Sequence, residues 1–236
     1  MRPAGAVTGH TAGVLVLFDI DGTLLHGAPE GHTHAMTDAM CTVWGVPVVP
    51  DDVWATQPAG RTDREIARLV LRGHSVADSA IDEGMREWID VACRVHAQMA
   101  TAHPPPVAAS DAQAVLVSLK GSGVEMALVT GNLEGIGRAK MCAAGLGTWF
   151  APGEGGFGSD AELRADLVRL ARERARGQYS DDQVVVIGDT PRDIAAARAA
   201  GVHVIAVTTG AHDAEALAGA DAVVPHLTGA LEILDR

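Results

Sequence analysis

Three short stretches of this chain gather the residue types that do chemistry: Asp19-Ile20-Asp21-Gly22-Thr23, Thr130-Gly131-Asn132, and Gly188-Asp189-Thr190-Pro191-Arg192-Asp193. Each follows a run that reads as a buried strand, namely Val14–Phe18, Glu125–Val129 and Val184–Ile187. In an open parallel sheet the C-terminal tips of the strands share one edge, so groups far apart in sequence converge on one crevice there. Asp19, Asp21, Asp189 and Asp193 brought together would repel and raise one another's pKa unless a divalent cation offset them. The donors are all oxygen, with no His or Cys in the three motifs, which points to Mg²⁺ rather than zinc. Thr130 adds a hydroxyl, and Gly131 lets backbone N–H groups approach closely at a helix N-terminus suited to an anion such as phosphate. Pro191 suits the first turn of a helix and fixes Asp189 just before it.

The elements needed to hold these groups can be read along the chain. After residue 107 a helix over about Asp111–Lys120 precedes the strand Glu125–Val129, and the helix opened by Thr130-Gly131-Asn132 ends at Gly145. A Gly-rich loop, Pro152–Gly158, leads to a helix over Asp160–Arg176, with Ser159 and Glu162 at capping-box spacing. Strand Val184–Ile187, a helix to Ala200, strand Val202–Val207, a short helix near Ala214–Leu217, strand Ala222–Val224 and a terminal helix follow. Such alternation means parallel pairing and right-handed crossovers, a doubly wound (Rossmann-like) α/β sheet covered on both faces. Between the first motif and residue 107 the apolar spacing is helical instead. It predicts helices over Thr33–Trp44 with a stop at Gly45, from the capping-box segment Thr62–Glu65 to Gly73, and over Ile81–Met99. Breakers bracket this region: Gly27, Pro29 and Gly31 on one side, His103-Pro104-Pro105-Pro106 on the other. The expected organisation is a core domain of residues 1–26 and 108–236, with a loose lead-in over 1–13, and an inserted all-helical cap of residues 27–107.

Composition narrows the partners. A net charge of −12 with no cluster of Lys and Arg to offset it argues against nucleic acid or an anionic membrane. Aromatic residues are 3% of the chain, so the core must be built from Ala, Val, Leu and Ile. Cys41, Cys93 and Cys142 are odd in number, with no CxxC pair, as expected of thiols in a reducing compartment. The N-terminal stretch runs straight into Asp19 without a cleavage pattern, so the expected location is cytoplasmic. Oligomeric state is left open by the sequence.

The motifs resemble those of the haloacid dehalogenase-like superfamily of Mg²⁺-dependent phosphatases, and in particular its phosphoglycolate-phosphatase-like members, which carry a helical cap after the first motif. Phe18–Leu24 is similar to the first motif, Leu128–Asn132 to the second and Gly188–Ile194 to the fourth, while Thr209-Gly210 with Ala220-Asp221 is similar to the family's C-terminal end. The resemblance implies that Asp19 attacks phosphorus and forms an aspartyl-phosphate that water then hydrolyses. It implies that Asp21 protonates the leaving oxygen and later activates the water. It assigns Mg²⁺ to Asp19, the backbone carbonyl of Asp21, and Asp189, with Asp193 as ligand or as a support behind the ligands. Thr130, with Gly131 and Asn132, and a third-motif lysine would bind the transferring phosphoryl group.

Many capped members place that lysine just upstream of the fourth motif, where this chain has none. Lys140 is the candidate, one of two lysines against sixteen arginines, and Arg164 is the alternative. In the cap, Gly60-Arg61-Thr62-Asp63 sits where similar caps reach into the core site. Arg61 is a candidate grip for a substrate carboxylate or second phosphate, and plain capping by Thr62 accounts for the same stretch. The expected activity is hydrolysis of a small phosphorylated metabolite. A phosphomutase of the same superfamily is the nearest alternative, kept open by His26, His32 and His34 at the hinge. A phospho-acceptor signalling domain comes next, opposed by the large insertion and by the acid at Asp21. A dehalogenase is disfavoured, since similar dehalogenases lack that acid and dispense with the metal.

Overall fold

The computed structural model describes residues 13–27, 30–99 and 102–234. Of the expectations above, most of the lead-in and the Pro29 breaker lie outside the described residues. Strand β1 (Leu15–Phe18) lies inside a six-stranded parallel sheet with β4 (Glu125–Thr130), β5 (Gly156–Phe157), β6 (Val184–Gly188), β7 (His203–Val207) and β8 (Ala222–Val224), in the order β5-β4-β1-β6-β7-β8. Phe18 is in register with Leu128 on one side and Ile187 on the other, so β4, β1 and β6 end level. The backbone N–H of Asp19 donates to Ile187 O at 2.9 Å and prolongs that pairing by one residue. The three polar motifs therefore leave the sheet along one edge.

Each β1 residue is fully buried, as a strand covered on both faces requires. Val16 and Phe18 face the cluster that includes α5 (Ala112–Gly121) and α9 (Leu227–Leu234). Leu15 and Leu17 face α7 (Arg164–Glu173) and α8 (Pro191–Ala200) on the other side. Helices on both faces of a parallel sheet make the doubly wound fold expected from the alternation.

Between β2 (Leu25–His26) and β3 (Val107–Ala108) come four helices: α1 (Glu30–Trp44), α2 (Pro50–Ala55), α3 (Asp63–Gly73) and α4 (Asp78–Met99). They bury a cluster of their own around Trp88, Met36, Met40, Leu71 and Ile81. That cluster continues into Leu133 and Ile136 at the start of α6 (Glu134–Ala143), which seats the helical unit on the core. Gly45 adopts φ +66° after α1, and the Thr62 side chain accepts the Glu65 N–H at 3.1 Å to open α3, both as the sequence signals predict.

Several local readings differ. The stretch read as a linker after Thr23 contains β2, which pairs antiparallel with β3 in a two-stranded ribbon. Two-residue strands are too short to show a period. Helix α2 is six residues long and was equally invisible. Helix α7 begins at Arg164, four residues after Asp160, and its N-cap Leu163 has no side-chain bond. The supposed capping pair is engaged elsewhere: Ser159 Oγ accepts the Glu134 N–H at 2.7 Å, and Glu162 takes the Arg68 guanidinium at 2.7 Å. Residues Ala214–Leu217 form turns rather than a helix. No described helix is long and apolar enough to cross a membrane.

Leu17 lies at the centre of the sheet with no exposed surface. Leu17→Ala is expected to lower the unfolding free energy by about 2–5 kcal/mol, read as a lower urea midpoint at unchanged m-value.

Candidate active site

Asp19, Asp21 and Asp189 leave the level ends of β1 and β6 to line one cavity of about 290 Å³, with the cations Lys140 of α6 and Arg164 of α7 beside them. Residues of α1 and of the loop before α3, Arg61 among them, line its other side. Asp19, Asp189 and Asp193 are buried and offer oxygens that all lie within 4.8 Å of one another. Asp193 sits in the first turn of α8, where Thr190 caps the helix. Its Oδ2 accepts the Thr190 N–H at 3.0 Å and the Thr190 hydroxyl at 2.6 Å. Asp189 accepts from Thr23 Oγ1 at 3.2 Å. Backbone crowds it closely: a Cβ at Gly22, which adopts φ +83°, or at Gly210 would collide with its carboxylate.

The electrostatics follow from this crowding. Burial, then the charges of Asp193 and Asp21, push Asp19 up to about 7 against the opposing pull of Arg164. Burial and the neighbouring Asp19 and Asp193 push Asp189 up to about 8. Asp21 is different: its side chain is 50% exposed to the cavity. Desolvation works against its charge, but Lys140 and Asn132 outweigh this and hold its carboxyl below the usual range.

The two cations have separate stations. Lys140 Nζ, on α6, donates to Asp21 Oδ2 at 2.8 Å and to Asn132 Oδ1 at 2.7 Å. Arg164, the first residue of α7, places Nη2 2.8 Å from Asp19 Oδ1 and 2.5 Å from Asp193 Oδ1. These are ion-pair contacts without hydrogen-bond alignment, since Arg164 Nη2 and Asp193 Oδ1 are both buried without a hydrogen-bond partner. Both candidates for the third-motif cation thus lie in the site, Lys140 against the exposed acid and Arg164 against the buried carboxylates.

Thr130 is fully buried, and its Oγ1 accepts from Asn132 Nδ2 at 2.7 Å. Asn132 Nδ2 also reaches Asp21 Oδ2 at 2.8 Å. Gly131 is where the cap meets the core: its carbonyl accepts the Asp63 N–H at 2.8 Å, and a Cβ there would collide with the Arg61 carbonyl oxygen. Arg61 lines the cavity, but its guanidinium is bonded to Glu65 and, through Nε at 2.9 Å, to the Thr56 carbonyl. Arg164 Nη1 also donates to Gly60 O at 3.1 Å, tying the cap loop to the core.

Sequence reasoning passed over Asp63, which it read as part of a capping segment. Asp63 is 3% exposed, and its Oδ2 accepts from the Leu133 N–H at 2.7 Å and from His32 Nε2 at 2.9 Å. Its signal in the sequence was an acid in the first helical position, which ordinary dipole complementarity explains as well.

When all three carboxylates are ionised, the single guanidinium of Arg164 leaves two negative charges in excess at Asp19, Asp189 and Asp193. With a buried Asp193 oxygen that lacks a hydrogen bond and donors that are all oxygen, these residues fit a hard divalent cation.

A family model described as haloacid dehalogenase-like hydrolase matches residues 14–201. The chain belongs to the haloacid dehalogenase-like hydrolases. A phosphoglycolate phosphatase from Rhodospirillum rubrum is 30% identical over 212 residues, spanning 83% of this chain and 79% of that protein. Phosphoglycolate phosphatase 1 of Pseudomonas aeruginosa is 28% identical, spanning 83% of this chain and 70% of its own length. Among solved structures, a hydrolase from Pseudomonas syringae superposes with a TM-score of 0.65 at 19% identity, covering 94% of this chain and 98% of that one. A family IA hydrolase from Entamoeba histolytica gives 0.66 at 20% identity, again covering 94% and 98%. At that distance the structures speak for the fold, and the curated relatives for the class: this hydrolase is an enzyme of the phosphoric monoester hydrolase type.

Because the folded-state pKa values of Asp19 and Asp189 lie above the unfolded carboxylate value of 3.8, the fold holds more protons than the unfolded chain between about pH 4 and 8. In EDTA this pair therefore lowers stability as pH rises through that window. A cation that binds the ionised carboxylates reverses the trend. Melting curves with Mg²⁺ or EDTA are expected to show a larger Mg²⁺-dependent rise in Tm at pH 8 than at pH 5, and Asp189→Asn is expected to shrink that rise.

Proposed function

We propose that this enzyme is a Mg²⁺-dependent phosphomonoesterase that hydrolyses a small phosphorylated metabolite through an aspartyl-phosphate on Asp19. The observation that carries the reading is the division of environments at one strand tip: Asp19 is buried beside other carboxylates and Arg164, while Asp21, two residues on, opens to the cavity and pairs with Lys140. Asp19, Asp189 and Asp193, with the Asp21 backbone carbonyl, would hold the ion. When bound, it would offset the charge on the transferring phosphoryl oxygens and on the Asp19 carboxylate.

The protein's own groups then perform the steps. Asp19 attacks phosphorus in line with the leaving oxygen, forming one P–O bond as the other breaks. Asp21 supplies the proton to the leaving oxygen. An incoming phosphate dianion next to Asp21 raises that carboxyl's proton affinity, which readies an otherwise ionised group to act as the acid. Once the leaving group departs, Asp21 takes a proton from the water that attacks phosphorus, phosphate leaves, and Asp19 is regenerated. The Thr130 hydroxyl and the backbone at Gly131 and Asn132 cradle the phosphoryl oxygens. Arg164 stands where it would offset charge at the nucleophile, and Lys140 where it orients Asp21. On this reading the two candidates for the third-motif role share it. Residues 27–107 act as the cap domain that closes over residues 1–26 and 108–236 and excludes bulk water.

The relatives named as phosphoglycolate phosphatases support a short ester with a carboxylate beside its phosphate as a first substrate to try. Arg61, engaged by Glu65 and the Thr56 carbonyl, would contact such a substrate only by exchanging those partners. The mutase alternative drew on the hinge histidines. His26 lies in β2 opposite Val107, His34 bonds to the Glu30 carbonyl at 2.9 Å and His32 to Asp63 at 2.9 Å, structural engagements that support the hydrolase reading over the mutase. Free thiols at Cys41, Cys93 and Cys142 suit the cytoplasm.

The test is phosphate release from phosphoglycolate, sugar phosphates, nucleotides and p-nitrophenyl phosphate, with Mg²⁺ or EDTA. Wild type is expected to turn over at least one ester only with Mg²⁺, and Asp19→Asn to lose activity by at least about 10³-fold. Turnover in EDTA, or an active Asp19→Asn, would overturn the proposal. Arg61→Ala is expected to lose selectivity among the esters while keeping turnover of p-nitrophenyl phosphate, and unchanged selectivity would remove the role given to Arg61.

A further inference from the structure

Lys140 is 6% exposed, and its three ammonium hydrogens meet three acceptors: Asn132 Oδ1 at 2.7 Å, Asp21 Oδ2 at 2.8 Å and His32 Nδ1 at 3.1 Å. The first two belong to the core strand tips, and the third comes from α1 of the helical unit. An ammonium group can only donate, so His32 Nδ1 must accept and the ring proton must sit on Nε2. Nε2 faces Asp63 Oδ2 at 2.9 Å, so the proton is placed where a buried carboxylate wants it. Asp63 is fixed in turn by the Leu133 N–H at 2.7 Å and by its own N–H on the Gly131 carbonyl at 2.8 Å. His96, whose ring lies edge-on to His32 with centroids 6.4 Å apart, is pushed down to about 4 by burial and so brings no competing charge at neutral pH. The ammonium of Lys140 and the two ring nitrogens of His32 thus each have a role that a neighbour dictates between Asp21 and Asp63.

We propose that His32 and Asp63 are a positioning pair that couples the seating of the helical cap to Asp21, by completing the hydrogen bonds of Lys140 when the cap is closed. This rests on the reading of Asp21 as the acid and base of the reaction. His32 and Asp63 both move with the cap, whereas Lys140, Asn132 and Leu133 stay with the core. Opening the cap removes one of the three acceptors of Lys140 and frees the ammonium to turn away from Asp21. Closing it restores a single orientation, so that the leaving oxygen meets a fixed Asp21 only when the cavity is shut. The pair touches neither phosphorus nor the nucleophile.

A positioning role of this kind predicts a dependence on the leaving group. An alkyl ester needs a proton at its leaving oxygen, whereas p-nitrophenolate departs without one. Two variants remove the relay, His32→Leu and His32→Phe, the second retaining the ring volume against His96. A third, His32→Gln, keeps one acceptor and one donor. With the best alkyl phosphate of the panel as substrate, His32→Leu or His32→Phe is expected to lower kcat/KM, which reports the leaving-group step and not the later hydrolysis common to all esters, about 10- to 100-fold, and to lower kcat/KM for p-nitrophenyl phosphate at least tenfold less. His32→Gln is expected to recover at least half of the lost alkyl activity on a logarithmic scale. Equal losses on the two esters, or a His32→Gln as impaired as His32→Phe, would overturn the coupling. If His32→Leu fails to fold, His32→Phe and His32→Gln carry the comparison alone. Failure of wild type to hydrolyse any ester would instead remove the underlying phosphatase reading, and that control is run first.

Discussion

Burying Asp19, Asp189 and Asp193 side by side at the end of a parallel sheet opposes folding, and the surroundings of the site are arranged around that opposition. Each carboxylate lies on a different rigid support: a strand tip, the loop after β6, and the first turn of a capped helix. None can retreat to solvent without breaking sheet pairing or the Thr190 cap. The charge must therefore be offset in place. Arg164 does part of this from the start of α7, and the raised proton affinities of Asp19 and Asp189 measure what it leaves undone. Such a cluster of oxygen donors is one that could hold a divalent cation.

Asp21 escapes this crowding by position alone. The chain turns at Gly22, whose φ of +83° suits glycine best, and the carboxylate of Asp21 emerges on the cavity side with its own cation. Two acids separated by one residue thus meet different dielectrics and different partners. Such a split between neighbouring carboxylates is how one site can host both an attacking oxygen and a proton carrier.

Much of this was legible in the sequence because it depends on local rules. The runs Val14–Phe18 and Val184–Ile187 could only be strands buried on both faces, and strands alternating with helices could only pair in parallel. That sufficed to bring Asp19, Thr130 and Asp189 to one edge. What stayed hidden depends on which side chain a tertiary neighbour engages. Ser159 and Glu162 have the spacing of a helix cap but bond to Glu134 and Arg68, so α7 starts late and Arg164 becomes its first residue. That shift aims Arg164 at Asp19. Likewise Asp63 looks like an ordinary acid at a helix start, and only the seating of α3 on Gly131 and Leu133 gives it a second task.

The close seating of the cap has a physical cause at glycine. A side chain at Gly131 would strike the Arg61 carbonyl, and one at Gly60 would strike the Thr190 hydroxyl, so the cap loop rests on the backbone of one core motif and on the Thr190 side chain of the other. Contacts made through backbone leave little freedom for the loop to drift. His32 and Asp63 can therefore sit within hydrogen-bond reach of core groups without long flexible side chains between them. Arg64 and Arg68 reach across to the Asp160 carbonyl and to Glu162 at the rim, Arg68 with two nitrogens on the Glu162 carboxylate. Specific registration thus lies at the buried centre, where a misplaced cap would cost Lys140 its His32 acceptor and Asp63 its bonds to Leu133 and Gly131, and ionic contacts add to it at the rim.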